Sequence, residues 1–244
     1  MPISLRPITK YDVPRLVDIQ FAAMRSSGHF RSIGDIPNQD GTTDAFLVSP
    51  ERANKISRIL DGWGADPTLH FLKAVEVDSD EILAFAKWHV YRGEEGLKEW
   101  RASVRTDAKM RIPSGANKEG FRFCKTKFFE RRKAFFGEGK EHCLLAMLAT
   151  DPLYERQGAG SLLTQWGCDL ADKYGIDCYL EASKKGYPMY KRKGFEEAIL
   201  ERGESGLHFD VRNFTGRGGE EEEEEGDWVD LTCMIRKAQR KKGF

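Results

Sequence analysis

The residues best suited to chemistry lie in one stretch, Glu155-Arg156-Gln157-Gly158-Ala159-Gly160-Ser161. It stands between an apolar run, Leu144 to Ala149, and a segment with Leu162, Leu163, Trp166, Leu170 and Tyr174 at helical spacing. A strand that runs into glycines at a helix start presents unpaired amide N–H groups, and the helix dipole adds positive potential there. Glycines also let an anion come close to the backbone, so the chemistry on offer is the binding of an anion such as a diphosphate. Gly158 and Gly160 alone are also what a tight turn without a ligand needs. The stretch lacks the third glycine of a dinucleotide fingerprint and the terminal Lys-Ser/Thr of a nucleotide phosphate loop, which excludes those two readings.

Candidate proton-handling groups lie further along the chain. Glu181 ends the strand-like run from Ile176 and points toward the region where ligands gather in α/β sheets, which makes it a candidate base. Its alternative is to partner a nearby Lys or backbone amide. Ser183, two residues on, is either a ligand contact or an ordinary strand-end hydroxyl. His89 and His142 could relay a proton through water, although a lone histidine is more often a surface or satisfied core residue.

These groups need elements to hold them. The apolar run Leu144 to Ala149 predicts a strand buried on both faces, and Gly175 ends the helix after the glycines. With Ile176 to Leu180 as the next strand, the unit is a βαβ crossover with two parallel strands. Upstream, Ile3 to Arg6 predicts a short strand, and Asp12 with Pro14 opens a helix carrying Val13, Leu16, Val17, Phe21 and Met24. Residues 26 to 48 read as a loop. Ser49-Pro50 starts a second helix with Ala53, Ile56, Ile59, Leu60 and Trp63 on one face and Gly64 to end it. The runs 70 to 77 and 82 to 91, joined by Asp78-Ser79-Asp80-Glu81, predict an antiparallel hairpin. Phe121, Cys124, Phe128 and Phe135 predict a basic amphipathic helix to about Phe136, Tyr187 to Gly194 a short helix, and Leu231 to Ile235 a late strand.

This architecture and two further strings carry a resemblance. Leu148 to Leu163 (LATDPLYERQGAGSLL), with Tyr179-Leu180-Glu181-Ala182-Ser183 and Met189-Tyr190-Lys191-Arg192-Lys193-Gly194-Phe195, strongly resembles the GNAT superfamily of acyl-CoA N-acyltransferases, over residues 144 to 197. The resemblance implies an α/β (α+β) fold with a mixed, mostly antiparallel sheet, a splayed parallel pair and flanking helices. It implies acetyl-CoA as co-substrate, its pantetheine paired with Leu148, Ala149 and Thr150 in the splay. Its diphosphate would lie on the amides of Arg156, Gln157, Gly158, Ala159, Gly160 and Ser161, and Ser183 and Tyr187 would be further contacts. Tyr190 stands where the family places a tyrosine near the thioester sulfur. Glu155 departs from the pattern, where Gln or Arg is usual. The implied activity is acetyl transfer to a primary amine, small molecule or peptide, in a ternary complex. The alternative is a catalytically silent CoA-binding regulatory or interaction domain.

Composition bounds the rest. With 39 Lys+Arg against 39 Asp+Glu, a uniformly basic nucleic-acid binder is excluded, and 40% hydrophobic residues suffice for one core in 244 residues. We expect one domain over 1–244. By segment the neutrality divides: residues 101 to 133 carry eleven Lys/Arg and three Asp/Glu, while 194 to 230 carry thirteen acidic residues and three Arg. These define a basic insert, about 92–140, and an acidic loop, about 203–227, containing the run Glu220 to Glu225. The basic stretch either approaches the CoA nucleotide or shapes a pocket wall, and the acidic run either attracts a cationic amine or is solvated surface. Five cysteines without a CxxC pair predict reduced thiols and no metal site. No stretch nears the roughly 18 apolar residues of a membrane span. A cytoplasmic protein with no nucleic-acid or membrane partner is expected.

Overall fold

A computed structural model describes residues 1–26, 50–104, 118–200, 203, 206–210 and 228–239. The loop expected at 26 to 48, apart from Ser26, the middle of the basic insert and the Glu220 to Glu225 run lie outside these residues. The strands are β1 (Ile3–Pro7), β2 (Leu69–Glu76), β3 (Ile82–Tyr91), β4 (His142–Thr150), β5 (Asp177–Ala182), β6 (Glu196–Glu197), β7 (Gly206–Asp210) and β8 (Trp228–Arg236). The helices are α1 (Val13–Ser26), α2 (Pro50–Asp61), α3 (Gly93–Ser103), α4 (Lys118–Phe136), α5 (Ala159–Tyr174) and α6 (Tyr187–Arg192).

The sheet runs β1-β2-β3-β4-β5-β8-β6, with β7 also on β8. All pairs are antiparallel except β4–β5, so the mixed, mostly antiparallel sheet with one parallel pair is the fold. β4 is apolar from Cys143 to Ala149 because both its faces are covered. Cys143 and Leu145 join Ala84, Ala86 and Trp88 beneath Leu163, Cys168 and Ala171 of α5. Leu144 faces the other way, among Tyr91, Trp100, Cys124, Phe136 and Tyr179 under α3 and α4. α1 covers that second face further along, Leu16 and Ile19 packing on Val75, Phe85 and Ala149.

The approach of α5 to the sheet depends on Gly167. A Cβ there would come within 2.2 Å of Trp88 Cζ2, and the Trp88 indole N–H donates to the Leu163 carbonyl at 3.2 Å. No side chain fits between helix and indole without moving one of them.

Four local features differ from the expectation set by the sequence. Asp12 does not cap α1 directly. It closes a capping box on a single 3-10 turn, accepting from the Thr9 backbone N–H at 2.7 Å, and it also takes Lys73 Nζ at 2.7 Å. α2 stops at Asp61, so Trp63 lies beyond it yet still packs with Ile56, Ile59 and Leu60. α3, inside the basic insert, is an element that the sequence pattern does not announce. Its Trp100 is fully buried and donates to the Gly137 carbonyl at 3.0 Å. Gly206–Asp210, inside the expected acidic loop, is strand β7, with Leu207 and Phe209 inward.

Candidate active site

The site begins where the parallel pair separates. β4 and β5 are in register from His142↔Asp177 to Leu145↔Leu180 and no further. There β4 bulges: Trp88 faces Leu145 and Lys87 faces Met147, leaving Ala146 as the extra residue. Such a bulge bends its strand and re-aims the residues beyond it. From Met147 to Thr150, β4 is paired with β3 and not with β5, while Glu181 and Ala182 of β5 pair with Cys233 and Thr232 of β8. One backbone edge of β4 therefore faces an open slot.

The glycine loop closes one end of this slot. Asp151 anchors its start, accepting from Leu153 N at 2.9 Å and from Arg15 Nη2 at 2.7 Å. Arg156 (φ 62°) and Gly158 (φ 97°) adopt left-handed backbone, which turns the chain into α5, where Gly158 is the cap. The Leu162 amide closes the first helical turn onto the Gly158 carbonyl at 3.0 Å. The N–H groups before it have no partner within the helix, and they belong to Ala159, Gly160 and Ser161, which line the cavity of the slot. A Cβ on Gly160 would lie 3.4 Å from Thr150 Oγ1 and 3.8 Å from Met189 Sδ, so the absent side chain keeps this cradle open.

A cavity of about 710 Å³ fills the slot, within the size range of sites for small molecules. Leu148, Ala149, Thr150, Arg156, Gly158, Ala159, Gly160, Ser161 and Ser183 line it, with Tyr190 at its inner end. Of the other residues expected there, Gln157 is exposed and outside the lining, and Tyr187 donates its hydroxyl to Glu197 instead. Glu155 lines the cavity, and Lys185 Nζ meets its carboxylate at 2.6 Å.

Beyond Tyr190 a second cavity, about 330 Å³, continues into the face covered by α1, α2 and α4. It shares Gln20, Met24, Met147, Leu148, Ser183, Tyr190 and Leu231 with the first. Its own walls are Lys55 of α2, Leu145 and Ala146 of β4, Leu180 and Glu181 of β5, and Phe121, Cys124, Lys125, Phe128 and Arg132 of α4, whose spacing is one face of a helix. This gives the basic insert a place: α4 forms a pocket wall. Sequence reasoning names Phe121, Cys124 and Phe128 as a helix face and offers the basic stretch as a pocket wall, but nothing local ties that face to Lys55 or Gln20.

Tyr190 is 7% exposed, and burial pushes its phenol well above the ordinary tyrosine value, so it stays protonated at neutral pH. Gly186 makes room for it, since a Cβ there would come within 2.9 Å of the Tyr190 ring. Its hydroxyl has no protein hydrogen bond among the described residues and is available to a ligand. Glu181 is differently placed. Its two oxygens accept from Arg132 Nε at 2.7 Å and Nη2 at 2.9 Å, and its side chain is only 5% exposed. Burial alone would lower the Arg132 pKa, but the Glu181 charge reverses this and holds the guanidinium charged.

The two histidines line neither cavity. His142 is fully buried, its Nδ1 donating to the Lys140 carbonyl at 2.8 Å and its ring stacked on Phe136 with centroids 3.7 Å apart. Burial pushes its pKa down to about 4. His89 sits beside Asp66 at 3.2 Å and Thr68 at 2.9 Å, and burial likewise pushes its pKa down. No helix among the described residues is long and apolar enough to cross a membrane.

No family model matches the chain. An uncharacterised N-acetyltransferase of Schizosaccharomyces pombe is 36% identical over 53 residues, which are 22% of this chain and 23% of that relative's length. Among solved structures, arylalkylamine N-acetyltransferase 2 of Aedes aegypti superposes with a TM-score of 0.55 at 12% identity, covering 98% of this chain and 100% of that one. A histone acetyltransferase HPA2 and related acetyltransferase from Corynebacterium glutamicum superposes at 0.53 and 18% identity, covering 100% of both chains. The fold is that of the GNAT acetyltransferases.

Proposed function

We propose that the chain moves an acetyl group from acetyl-CoA to the primary amine of a small molecule, by direct attack in a ternary complex. The observation that carries this reading is the meeting of two cavities at the splay of β4 and β5, beside a protonated Tyr190. One cavity has the loop amides and open strand edge that a long, diphosphate-bearing thioester needs. The other, at about 330 Å³, is of small-molecule size.

Acetyl-CoA supplies an activated acyl group whose leaving atom is a thiolate. The chain's residues do the rest. Amides of the first turn of α5 bind the diphosphate, with Arg156 and Arg192 in the lining adding positive charge. Lys185 neutralises Glu155, so the departure that left room for a silent binding domain need not repel the diphosphate. Leu148, Ala149 and Thr150 offer the free edge of β4 to the amides of the pantetheine arm, and Ser183 borders the same slot. An alkylamine has a pKa near 10, so roughly one molecule in a thousand is neutral at pH 7. The apolar part of the walls, with Phe121, Phe128, Met147 and Leu180, favours that form by desolvation. Tyr190 donates a hydrogen bond to the departing sulfur. The burial that raises the phenol would raise a buried thiol in the same direction, so it does not by itself set the phenol against the leaving thiolate.

Glu181, read from sequence as a candidate base, is committed to Arg132 in this arrangement. We assign the pair to holding α4 against β5. The amine's proton leaves through water in the second cavity.

The test is release of free CoA thiol from acetyl-CoA with a panel of primary amines, together with thermal stabilisation by acetyl-CoA alone. Stabilisation and amine-dependent release are expected. Stabilisation without release on any amine would instead establish the silent binding domain, and neither would overturn the reading altogether.

A further inference from the structure

One cation near the second cavity makes no direct hydrogen bond or ion pair among the described residues. Lys87 of β3 lies opposite Met147 of β4, and side chains directly opposite on paired strands share a sheet face. That face is the one under α1, α2 and α4, because the neighbouring Ala86 and Trp88 point to α5. Met147 lines both cavities. The charges that bear on Lys87 are Asp66, Lys55 and Arg132, and the last two line the second cavity. Lys87 thus stands beside Met147 on the sheet face beneath that cavity, without being one of its lining residues.

Arg132 and Asp66 each have direct partners of their own, while the Asp66 charge favours the charged form of Lys87 from beyond ion-pair distance. Arg132 is met by both oxygens of Glu181. Asp66 accepts from the Thr68 backbone and hydroxyl at 2.9 and 2.6 Å and faces His89. Lys87 has no hydrogen-bond or ion-pair partner among the described residues, and burial pushes its pKa down. A half-buried ammonium of this kind is costly until an anion arrives, and lysine's flexible stem can carry it toward one. A single ammonium of this kind suits a singly charged anion such as a carboxylate. On the wall above, Phe121 and Phe128 offer an aromatic surface.

We propose that the acceptor is an amine that also bears a carboxylate and an aromatic body, of the aromatic amino acid class, with its carboxylate drawn to Lys87 and its ring laid against Phe121 and Phe128. This rests on the transfer reading above. It distinguishes the chain from a transferase for simple arylalkylamines, whose lone positive charge would meet Lys87 unrelieved.

The experiment compares phenylalanine, its methyl ester and phenethylamine as acceptors by CoA thiol release, in the full chain and in Lys87→Met. N-acetylphenylalanine binding to the CoA-loaded protein is read in parallel as a thermal shift. We expect phenylalanine to exceed the other two by tenfold or more in kcat/KM, and Lys87→Met to erase that preference through KM, with the ester's rate kept. Lys87→Met should melt at the same temperature as the parent or higher, since a buried charge is replaced by an apolar group of like volume. Equal or better use of the ester and phenethylamine would overturn the carboxylate site and leave the transfer reading standing. So would equal losses on all three acceptors in Lys87→Met. No turnover on any acceptor, with N-acetylphenylalanine still binding in a Lys87-dependent way, would overturn the transfer reading and leave the carboxylate site. Neither turnover nor binding would overturn both.

Discussion

Replacing Arg132 by Met tests the assignment of Glu181. The pair is buried, with side chains 17% and 5% exposed, and is joined by two hydrogen bonds of 2.7 and 2.9 Å. Removing the guanidinium strands a carboxylate among Tyr179, Cys233 and the cavity wall, where it is nearly out of water. Breaking such a pair from one side costs about 3–5 kcal/mol, against about 0–1 kcal/mol for a solvated one. For a domain of this size each kcal/mol moves the melting temperature by roughly 2–4 °C, so a fall of roughly 6–20 °C is expected. Removing both charges, as Arg132→Met with Glu181→Met, should recover most of the loss, because no stranded ion remains. The assay is thermal and denaturant unfolding of the parent, both single variants and the double variant. Activity adds a second readout: the acceptor KM should rise as the α4 wall loosens, with acetyl-CoA affinity kept. A loss under about 1 kcal/mol in Arg132→Met would refute the reasoning, since it would show Glu181 well hydrated and free to serve as a base.

The geometry predicts three further outcomes. Tyr190→Phe should lower kcat by roughly 10²-fold while leaving acetyl-CoA affinity within about twofold, as steady-state rates and calorimetry would report; an unchanged rate with chemistry limiting removes the proton-donor role. Lys185→Ala should weaken acetyl-CoA binding by roughly tenfold, because it leaves the Glu155 carboxylate facing the diphosphate, and adding Glu155→Gln should restore much of it; equal affinity in all three proteins would contradict the neutralisation. His142 is held neutral in the fold, with a pKa of about 4 against 6.5 when unfolded, so the unfolded chain binds the extra proton between those values. Its contribution is therefore intact above pH 6.5 and is lost as the pH falls toward 4, by about 3 kcal/mol in all, and His142→Leu should flatten that part of the stability–pH curve; an unchanged slope would show the ring hydrated.

Features encoded locally are legible in the sequence. The run Leu144 to Ala149, the glycines before α5 and the stop at Gly175 each report their own conformation through burial pattern and backbone freedom, so the βαβ unit and the loop facing the first cavity can be read directly. Asp12 misleads because the capping box on Thr9 and the pull of Lys73 compete for the same carboxylate, and Lys73 is distant in sequence. The two-residue β6 pairs only with β8, and β7 sits in a segment whose glycines and acidic residues mask a five-residue alternation. The second cavity is not legible. Its walls come from α1, α2 and α4 as well as β4 and β5, and its ionic tie joins Arg132 to Glu181 across 49 positions, so no spacing rule connects them. The same distance hides the commitment of Glu181: a strand-end carboxylate looks free until the helix that covers it is in place.

The central claim is direct transfer between the two cavities, and rapid mixing tests it most directly. Mixed with acetyl-CoA alone, the protein should release thiol no faster than background and keep its intact mass; adding a reactive amine should start continuous release with acetylated amine as the product. A burst of thiol equal to the protein concentration before any amine is added, with an acetyl group found on the chain, would contradict the account.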